Sequence, residues 1–308
     1  MSNSNNGAII ICGPTASGKT NLAHHLALHH NGEIVNADSM QLYKQLPIIT
    51  ACPDNHLRNE LPYHLYNFQD VDKELSAAKY VKIAAETIKE ISRKNKLPII
   101  VGGSGMYINM LVNGYSLIPN TKDEIRIQAR DLHKQIGAEA FFAELGKLDR
   151  EIVDILNIHD TQRVIRAYEV FKQTGHSILF FQNQDNFKPL EEFDFQIFSL
   201  MPERQFLYKT CNERLLKLFA NGAIEEVQEM YRHYGDLKTS AMKSLGVSEI
   251  ISYIKGDITY DKAIELASAR TRQYAKRQTT WFKKTLPNTQ ILEFKNQDEY
   301  QKLLGKTL

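Results

Sequence analysis

Short apolar runs alternate with helical stretches along the first third of the chain. Ala8-Ile9-Ile10-Ile11-Cys12 has no polar break, the pattern of a strand buried on both faces. Glu33-Ile34-Val35-Asn36 and Leu97-Pro98-Ile99-Ile100-Val101 predict two more strands. Residues 21–27 read as a helix. Over 76–94, Ala77, Val81, Ala84, Ala85, Ile88 and Ile91 recur at helical spacing. Such alternation implies a parallel sheet covered on both faces. From 116 to 192 the strand signals stop. Helices are predicted over 125–132, 138–145 and 161–174, with turns such as Asn157-Ile158-His159-Asp160 between them. A strand resumes over 195–200. The rest reads as mostly helical, with a last short strand over 291–294.

Between the first strand and the first helix lies Gly13-Pro14-Thr15-Ala16-Ser17-Gly18-Lys19-Thr20. Strand, glycine-rich turn and helix is the context of a P-loop. Glycines let backbone amides curl round phosphate oxygens, and the helix N-terminus adds positive potential. Lys19 supplies a point charge, and the Thr20 hydroxyl is placed to reach a magnesium ion. The expected architecture is therefore α/β. A P-loop NTPase-like parallel sheet core spans 1–115 and 195–308, with an inserted helical subdomain over 116–194 and a helix-rich C-terminal part. In open parallel sheets ligands collect beyond the carboxyl ends of the strands. The P-loop, Asp38-Ser39-Met40-Gln41 and Gly102-Gly103-Ser104-Gly105 all lie at such ends and should converge on one site.

Asp38 could bind magnesium, orient a substrate hydroxyl or act as a general base. The competing reading is an N-cap or turn aspartate. Residues 262–284, read as one helix, carry Lys262, Arg270, Arg272, Lys276, Arg277, Lys283 and Lys284 against the single acid Glu265. Arg270, Arg277 and Lys284 recur every seven residues, with Tyr274, Trp281 and Phe282 interleaved. That suits a phosphate backbone and unstacked bases, or else a solvated helix whose aromatics pack inward. Arg163 and Arg166, three apart, share one face of the insertion, and Arg126 and Arg130 repeat the arrangement; ion pairs with residues such as Glu169 are the alternative. His25 and His29 have metal-pair spacing, but no third ligand follows.

Net charge is only +2, so a nucleic-acid surface must come from local clustering. No apolar run approaches a membrane span. The polar residues 1–7 resemble no targeting signal. Cys12, Cys52 and Cys211 are too scattered for a disulfide framework or zinc site, which fits a reducing cytoplasm.

Five ordered motifs carry a resemblance over Gly13 to Phe282. They are the P-loop, Asp38-Ser39-Met40-Gln41-Leu42-Tyr43, Val101-Gly102-Gly103-Ser104-Gly105-Met106-Tyr107, Gln162-Arg163-Val164-Ile165-Arg166-Ala167-Tyr168-Glu169-Val170 with Thr174-Gly175, and Thr271-Arg272-Gln273-Tyr274-Ala275-Lys276-Arg277-Gln278-Thr279-Thr280-Trp281-Phe282. In these the chain resembles the tRNA dimethylallyltransferases, or isopentenyltransferases. That family moves a dimethylallyl group from its diphosphate to the N6 amine of the adenosine just 3′ of the anticodon.

The resemblance implies that Gly13 to Thr20 hold a diphosphate leaving group and that Asp38 is the general base. It also implies that Ser104, where threonine is usual, places the reacting groups, that Arg214 clamps the diphosphate, and that Thr20 shares Mg2+ with it. Implied tRNA contacts are Asp38, Ser39, Met40, Gln41, Arg126, Gln162 to Arg166, Lys243, Ser244, Leu245 and Gly246. In the basic helix they run from Lys276 through Arg277, Gln278, Thr279, Thr280, Trp281 and Phe282 to Lys283. The partners expected are the anticodon stem-loop of tRNA and dimethylallyl diphosphate, with the chain a monomer in a bacterial cytoplasm. No Cys/His zinc-finger extension follows, which also points to a bacterial enzyme.

The chain departs from the pattern at Cys52, where lysine is usual, and at Val247, where tyrosine is. Alternatives are prenylation of free adenine nucleotides, a P-loop kinase or ATPase, and a non-catalytic RNA-binding module. The arginines of the insertion and the basic helix favour a macromolecular acceptor. The kinase reading wants a second acidic strand end, which is not evident.

Overall fold

The computed structural model describes residues 6–306. Residues 1–5, most of the polar N-terminal segment, lie outside the described residues. Two compact units form, one from residues 1–112 with 189–308 and the other from 113–188.

The larger unit is built on six parallel strands in the order β3-β2-β4-β1-β5-β6: β1 (Asn6–Cys12), β2 (Gly32–Asn36), β3 (Tyr63–His64), β4 (Leu97–Gly102), β5 (Phe193–Pro202) and β6 (Thr289–Phe294). Ile10 lies opposite both Ile100 and Ile197, so the apolar runs stack at the sheet centre. All of β2 is buried, Glu33 included, whose carboxylate meets His64 at 2.7 Å. Every strand read from the sequence is present, lengthened by one to four residues. β3 gave no signal, because two residues cannot show a period.

Helices α1 (Lys19–His29), α2 (Asn55–Glu60) and α3 (Ala77–Arg93) connect the first four strands, and α4 (Gly105–Asn113) follows β4. The Ser76 hydroxyl caps α3 by accepting from Lys79 N at 3.2 Å. The apolar stripe read from the sequence is buried from Val81 onward, with Tyr80 added, while Ala77 in the first turn is only partly covered. Burying Ile88 or Ile91 is worth about 2 kcal/mol each. Ile88→Ala would leave a cavity costing about 2–5 kcal/mol.

The smaller unit comprises α5 (Asp123–Leu148), α6 (Arg150–Val153), α7 (Thr161–Thr174) and α8 (Ile178–Gln182). The two helices expected over 125–132 and 138–145 are the arms of α5, which kinks at Gly137 (φ 80°, ψ 170°). Phe141, Leu145, Val164 and Val170 form its core.

After β5 come α9 (Arg204–Leu218), α10 (Ile224–Tyr234), α11 (Val247–Ile254), α12 (Tyr260–Phe282) and α13 (Gln297–Gly305). The basic helix expected over 262–284 is α12, capped by Thr259 accepting from Lys262 N at 3.2 Å. It stops at Phe282, so Lys283 and Lys284 lie past its end and only Arg270 and Arg277 of the seven-residue row are helical. Among the described residues no helix is long and apolar enough to cross a membrane.

Candidate active site

The carboxyl ends of β1, β2 and β4 do converge. The P-loop follows β1 and turns into α1 at Gly18, whose φ of 88° is in the left-handed region. A Cβ there would also lie 2.7 Å from the Tyr300 ring. Glycine is the residue that fits. The Tyr300 hydroxyl donates to Gly18 O at 2.8 Å, so α13 braces the loop.

Lys19 folds back to donate to Pro14 O at 2.6 Å. Burial of the ammonium pulls its pKa down to about 8; Asp38 opposes that, and Arg214 adds to it. The Arg214 guanidinium donates to Thr15 Oγ1, and its pKa is also lowered, chiefly by burial. Two cations thus face one cradle at an electrostatic cost that an anion would relieve. Ser17 Oγ, buried in the same loop, has no hydrogen-bond partner, as expected of a group awaiting a ligand oxygen.

Asp38 follows β2, held at its own N–H by Asn36 Oδ1 (2.9 Å) while its Oδ1 accepts from Met40 N (3.0 Å). It is therefore an Asx-turn aspartate, as the competing reading held, and its carboxylate also lines a cavity. Ser104 Oγ accepts from Ser39 N (2.8 Å) and donates to Ser39 Oγ (3.0 Å), tying the end of β4 to the Asp38 loop.

Gln278 joins the pieces: its Oε1 accepts from Thr15 N (2.8 Å), and its Nε2 donates to Gly103 O (2.8 Å). Sequence reasoning assigned Gln278 to RNA. It occupies the buried stripe of α12 with Ala267, Thr271 and Ala275, and a glutamine in such a stripe is the signal that could have revealed this role. Trp281 lies flat against Gly105, where a Cβ would overlap its ring.

Three cavities adjoin in this unit. The first, about 470 Å³, is lined by the P-loop, Asp38, Cys52 and Arg214. The second, about 410 Å³, shares Thr15, Asp38, Thr50 and Arg214 with the first and adds Leu215, Leu218 and Leu245. The third, about 470 Å³, shares Met40, Lys243, Tyr274 and Arg277 with the second and adds Ser104 and Trp281. Asp38 thus stands on the wall between a cationic cradle and a half-apolar chamber that leads to α12.

On α12, Lys276, Arg277 and Thr280 are exposed, as is Lys283 just past its end, while Thr279 and Trp281 are partly so. Arg270 is paired with Glu249 at 2.6 Å. Phe282 is almost fully buried, as the alternative reading held, whereas Trp281 is partly exposed, and both line the third cavity. Gln41 donates to Thr50 O (3.0 Å) and Ala51 O (2.8 Å), so its amide holds a loop. Ser244 is buried and donates to Met40 Sδ at 3.3 Å. Leu245 lines the second cavity, and Gly246 (φ 92°) caps α11. Cys52 sits in the cradle wall, its thiol donating to Gln41 O at 3.6 Å. Val247 is fully buried.

In the smaller unit Gln162 and Arg163 are exposed, the latter paired with Asp160 at 3.2 Å. Arg126 pairs with Asp123 at 3.4 Å. Arg166 is half-buried, donating to Thr121 Oγ1 and to Pro119 O (3.4 Å) and facing Glu169 at 3.5 Å. The ion-pair alternative thus describes Arg166 well. Ile165 is partly buried, and Val164 is interior, 2% exposed. Val164, Ser244, Gln278 and Phe282, four of the expected tRNA contacts, are buried, so their side chains present little surface to a partner.

Comparison with known proteins agrees with this geometry. Residues 41–285 match the family model described as IPP transferase. The chain is 49% identical to the tRNA dimethylallyltransferase of Rickettsia massiliae (strain Mtu5), with 97% of this chain and 82% of that protein covered. It is also 49% identical to the Rickettsia felis protein of the same name, with 96% of each covered. Among solved structures, the full-length tRNA isopentenylpyrophosphate transferase from Bacillus halodurans superposes with a TM-score of 0.70 at 28% identity, over 97% of this chain and 95% of that one. A eukaryotic dimethylallyltransferase acting on tRNA gives 0.80 at 27% identity, over 96% and 76%. By the extent of the family match and the identity to these relatives, the chain belongs to the IPP transferase family and is a transferase.

Proposed function

We propose that this chain transfers a dimethylallyl group from dimethylallyl diphosphate to the N6 amine of the adenosine 3′-adjacent to the anticodon of tRNA. The observation that carries this reading is the position of Asp38, between a two-cation phosphate cradle and a chamber open towards α12. The diphosphate lies in the P-loop, against Lys19 and Arg214, and the allyl chain points past Asp38 among Leu215, Leu218 and Leu245. The adenosine enters from the α12 side. Its N6 attacks the allylic carbon, the C–O bond to diphosphate breaks, and a proton passes from N6 to the Asp38 carboxylate. Lys19 and Arg214 stabilise the negative charge that develops on the departing diphosphate. Asp38 and Ser104, locked by their hydrogen bonds, supply the positioning that a weakly nucleophilic amine needs.

The cradle fits a magnesium ion. Thr20 and Ser17 line it with hydroxyl oxygens, and Mg2+ is usually held by few protein groups plus phosphate oxygens and water. Among the described residues no cluster of three His, Cys, Asp or Glu competes for a metal. Bound there, Mg2+ would neutralise charge on the leaving group.

Flipping the adenosine out of its stack costs a few kcal/mol. Stacking on Trp281, worth about 1–3 kcal/mol, and phosphate contacts from Lys276, Arg277 and Lys283 would offset it. In the smaller unit, Arg126, Gln162 and Arg163 contribute further phosphate contacts. The enzyme acts as a monomer.

The test supplies protein with Mg2+ and radiolabelled dimethylallyl diphosphate. The acceptors are an anticodon stem-loop with the adenosine, the same loop with guanosine there, and free AMP. Label confined to the adenosine loop is expected. Label on AMP with the loop ignored would move the reading to nucleotide prenylation, and no label on any acceptor would refute it.

A further inference from the structure

Outside these cavities, one half-buried carboxylate grips a stretch of backbone. Glu226 on α10 accepts from two successive amides with its two oxygens, Ile48 N to Oε2 at 2.7 Å and Ile49 N to Oε1 at 2.8 Å. Burial pushes the Glu226 carboxyl up to about 7, although both amides pull it down, so ionising it carries a cost. Gripping backbone 177 residues away is the return on that cost.

The gripped segment is a tight turn. Ala51 N bonds to Ile48 O (2.8 Å), Cys52 N bonds to Pro47 O (2.9 Å), and Ala51 has φ 53°. Ile49, 4% exposed in the cluster with Phe219 and Val227, anchors the turn and also lines the second cavity. The turn faces the site. Thr50 lines both the cradle and the adjoining chamber, and Ala51, Cys52 and Pro53 line the cradle. Glu226 itself lines neither cavity. It stands behind the wall that faces the ligand.

We propose that Glu226 is a positioning residue for the transfer reaction, fixing the 48–53 turn as the wall of the diphosphate cradle. The proposal rests on the reading of that cradle given above. Neutral glutamine is nearly isosteric but must aim its NH2 at one of the two N–H donors, so it keeps one bond and sets two donors against each other. Aspartate keeps both acceptors one methylene short.

The experiment compares wild type, Glu226→Gln and Glu226→Asp. It measures binding of inorganic pyrophosphate with Mg2+ by calorimetry, KM for dimethylallyl diphosphate and for the stem-loop separately, and hydrogen exchange at Ile48, Ile49 and β1. For Glu226→Gln, pyrophosphate affinity should fall on the order of tenfold, with a matching rise in KM for the diphosphate. KM for the stem-loop should stay within about twofold, well under the tenfold step expected for the diphosphate. Exchange should quicken at Ile48 and Ile49 and not in β1, and Glu226→Asp should fall between. Faster exchange at the turn with unchanged pyrophosphate affinity and diphosphate KM would overturn the proposal, leaving Glu226 a purely structural brace. Wild-type protein that binds no pyrophosphate overturns the cradle reading, and this proposal with it, and is recognised because the wild type itself fails. If Glu226→Gln does not fold, Glu226→Asp carries the same readings with smaller amplitude.

Discussion

Lys19→Met removes the cradle's buried ammonium while keeping most of its length. The ligand-free protein holds this lysine at a pKa of about 8, against an ordinary 10.5, mainly because burial strips its water. At about 1.4 kcal/mol per pH unit, that displacement is a penalty of about 3 kcal/mol. The side chain is partly open to the cavity, which trims it to about 2–3 kcal/mol. Methionine also forfeits the 2.6 Å bond to Pro14 O, worth about 1 kcal/mol. The variant should therefore be more stable than wild type by about 1–2 kcal/mol at pH 7 without ligand.

The pH dependence has a definite sign. Between about 8 and 10.5 the unfolded chain still holds the Lys19 proton and the folded chain has lost it, so wild-type stability rises with pH there. Lys19→Met lacks that rise, and its advantage should be full below pH 8 and gone above 10.5. Denaturant unfolding at pH 7 and pH 10.5 measures the difference, in which other titrating groups cancel. Pyrophosphate at a hundredfold over its Kd should add about 2.7 kcal/mol to wild type and far less to the variant. A less stable variant at pH 7, or a difference equal at the two pH values, would refute the reasoning.

Asp38→Ala should fold, since its turn keeps the Asn36 contact to the residue 38 amide, and should bind both substrates while losing on the order of 10²–10⁴-fold in kcat; single-turnover rates with near-normal values would remove Asp38 as the base. Arg214→Ala should raise KM for dimethylallyl diphosphate on the order of tenfold or more, and an effect on stem-loop KM alone would contradict its place beside Thr15. Gln278→Leu unlinks Thr15 N from Gly103 O and leaves the part-buried amide and the buried carbonyl wanting. Melting should register a loss of about 2–4 kcal/mol, with kcat falling as well, and an unaltered melt would mean that water replaces the amide. Gly105→Val drives a branched side chain into the Trp281 ring and should weaken stem-loop binding more than pyrophosphate binding; filter binding with each ligand would expose the reverse order.

The core strands were legible because each is a continuous apolar run, and a strand buried on both faces announces itself that way. β3 was silent, and the break at Gly137 showed in the sequence only as two arms of helical pattern. The P-loop and Asp38 were legible because glycine spacing and a carboxylate at a strand end are local. What was not legible is what crosses the sheet. Gln278 reaching Thr15, Tyr300 reaching Gly18 and Glu226 reaching Ile48 span 263, 282 and 178 residues. No local pattern records such pairs. At best the sequence shows a polar residue within an apolar stripe.

Those long-range bonds have a common direction. Each runs from the C-terminal helices α10, α12 or α13 to a loop at the carboxyl edge of the sheet, and each ends on backbone. A loop that must leave amides free for a ligand cannot also spend them all on its own turns, so its rigidity has to come from outside. The helix-rich C-terminal part is therefore the frame that holds the cradle, as well as the bearer of the cations on α12. Because Gln278 and Trp281 lie within one turn of that helix, anything that shifts α12 moves the Thr15 amide and the floor under Gly105 together. RNA docked on the exposed face of α12 and diphosphate docked in the P-loop would then share one rigid element, and each should favour the geometry that the other needs.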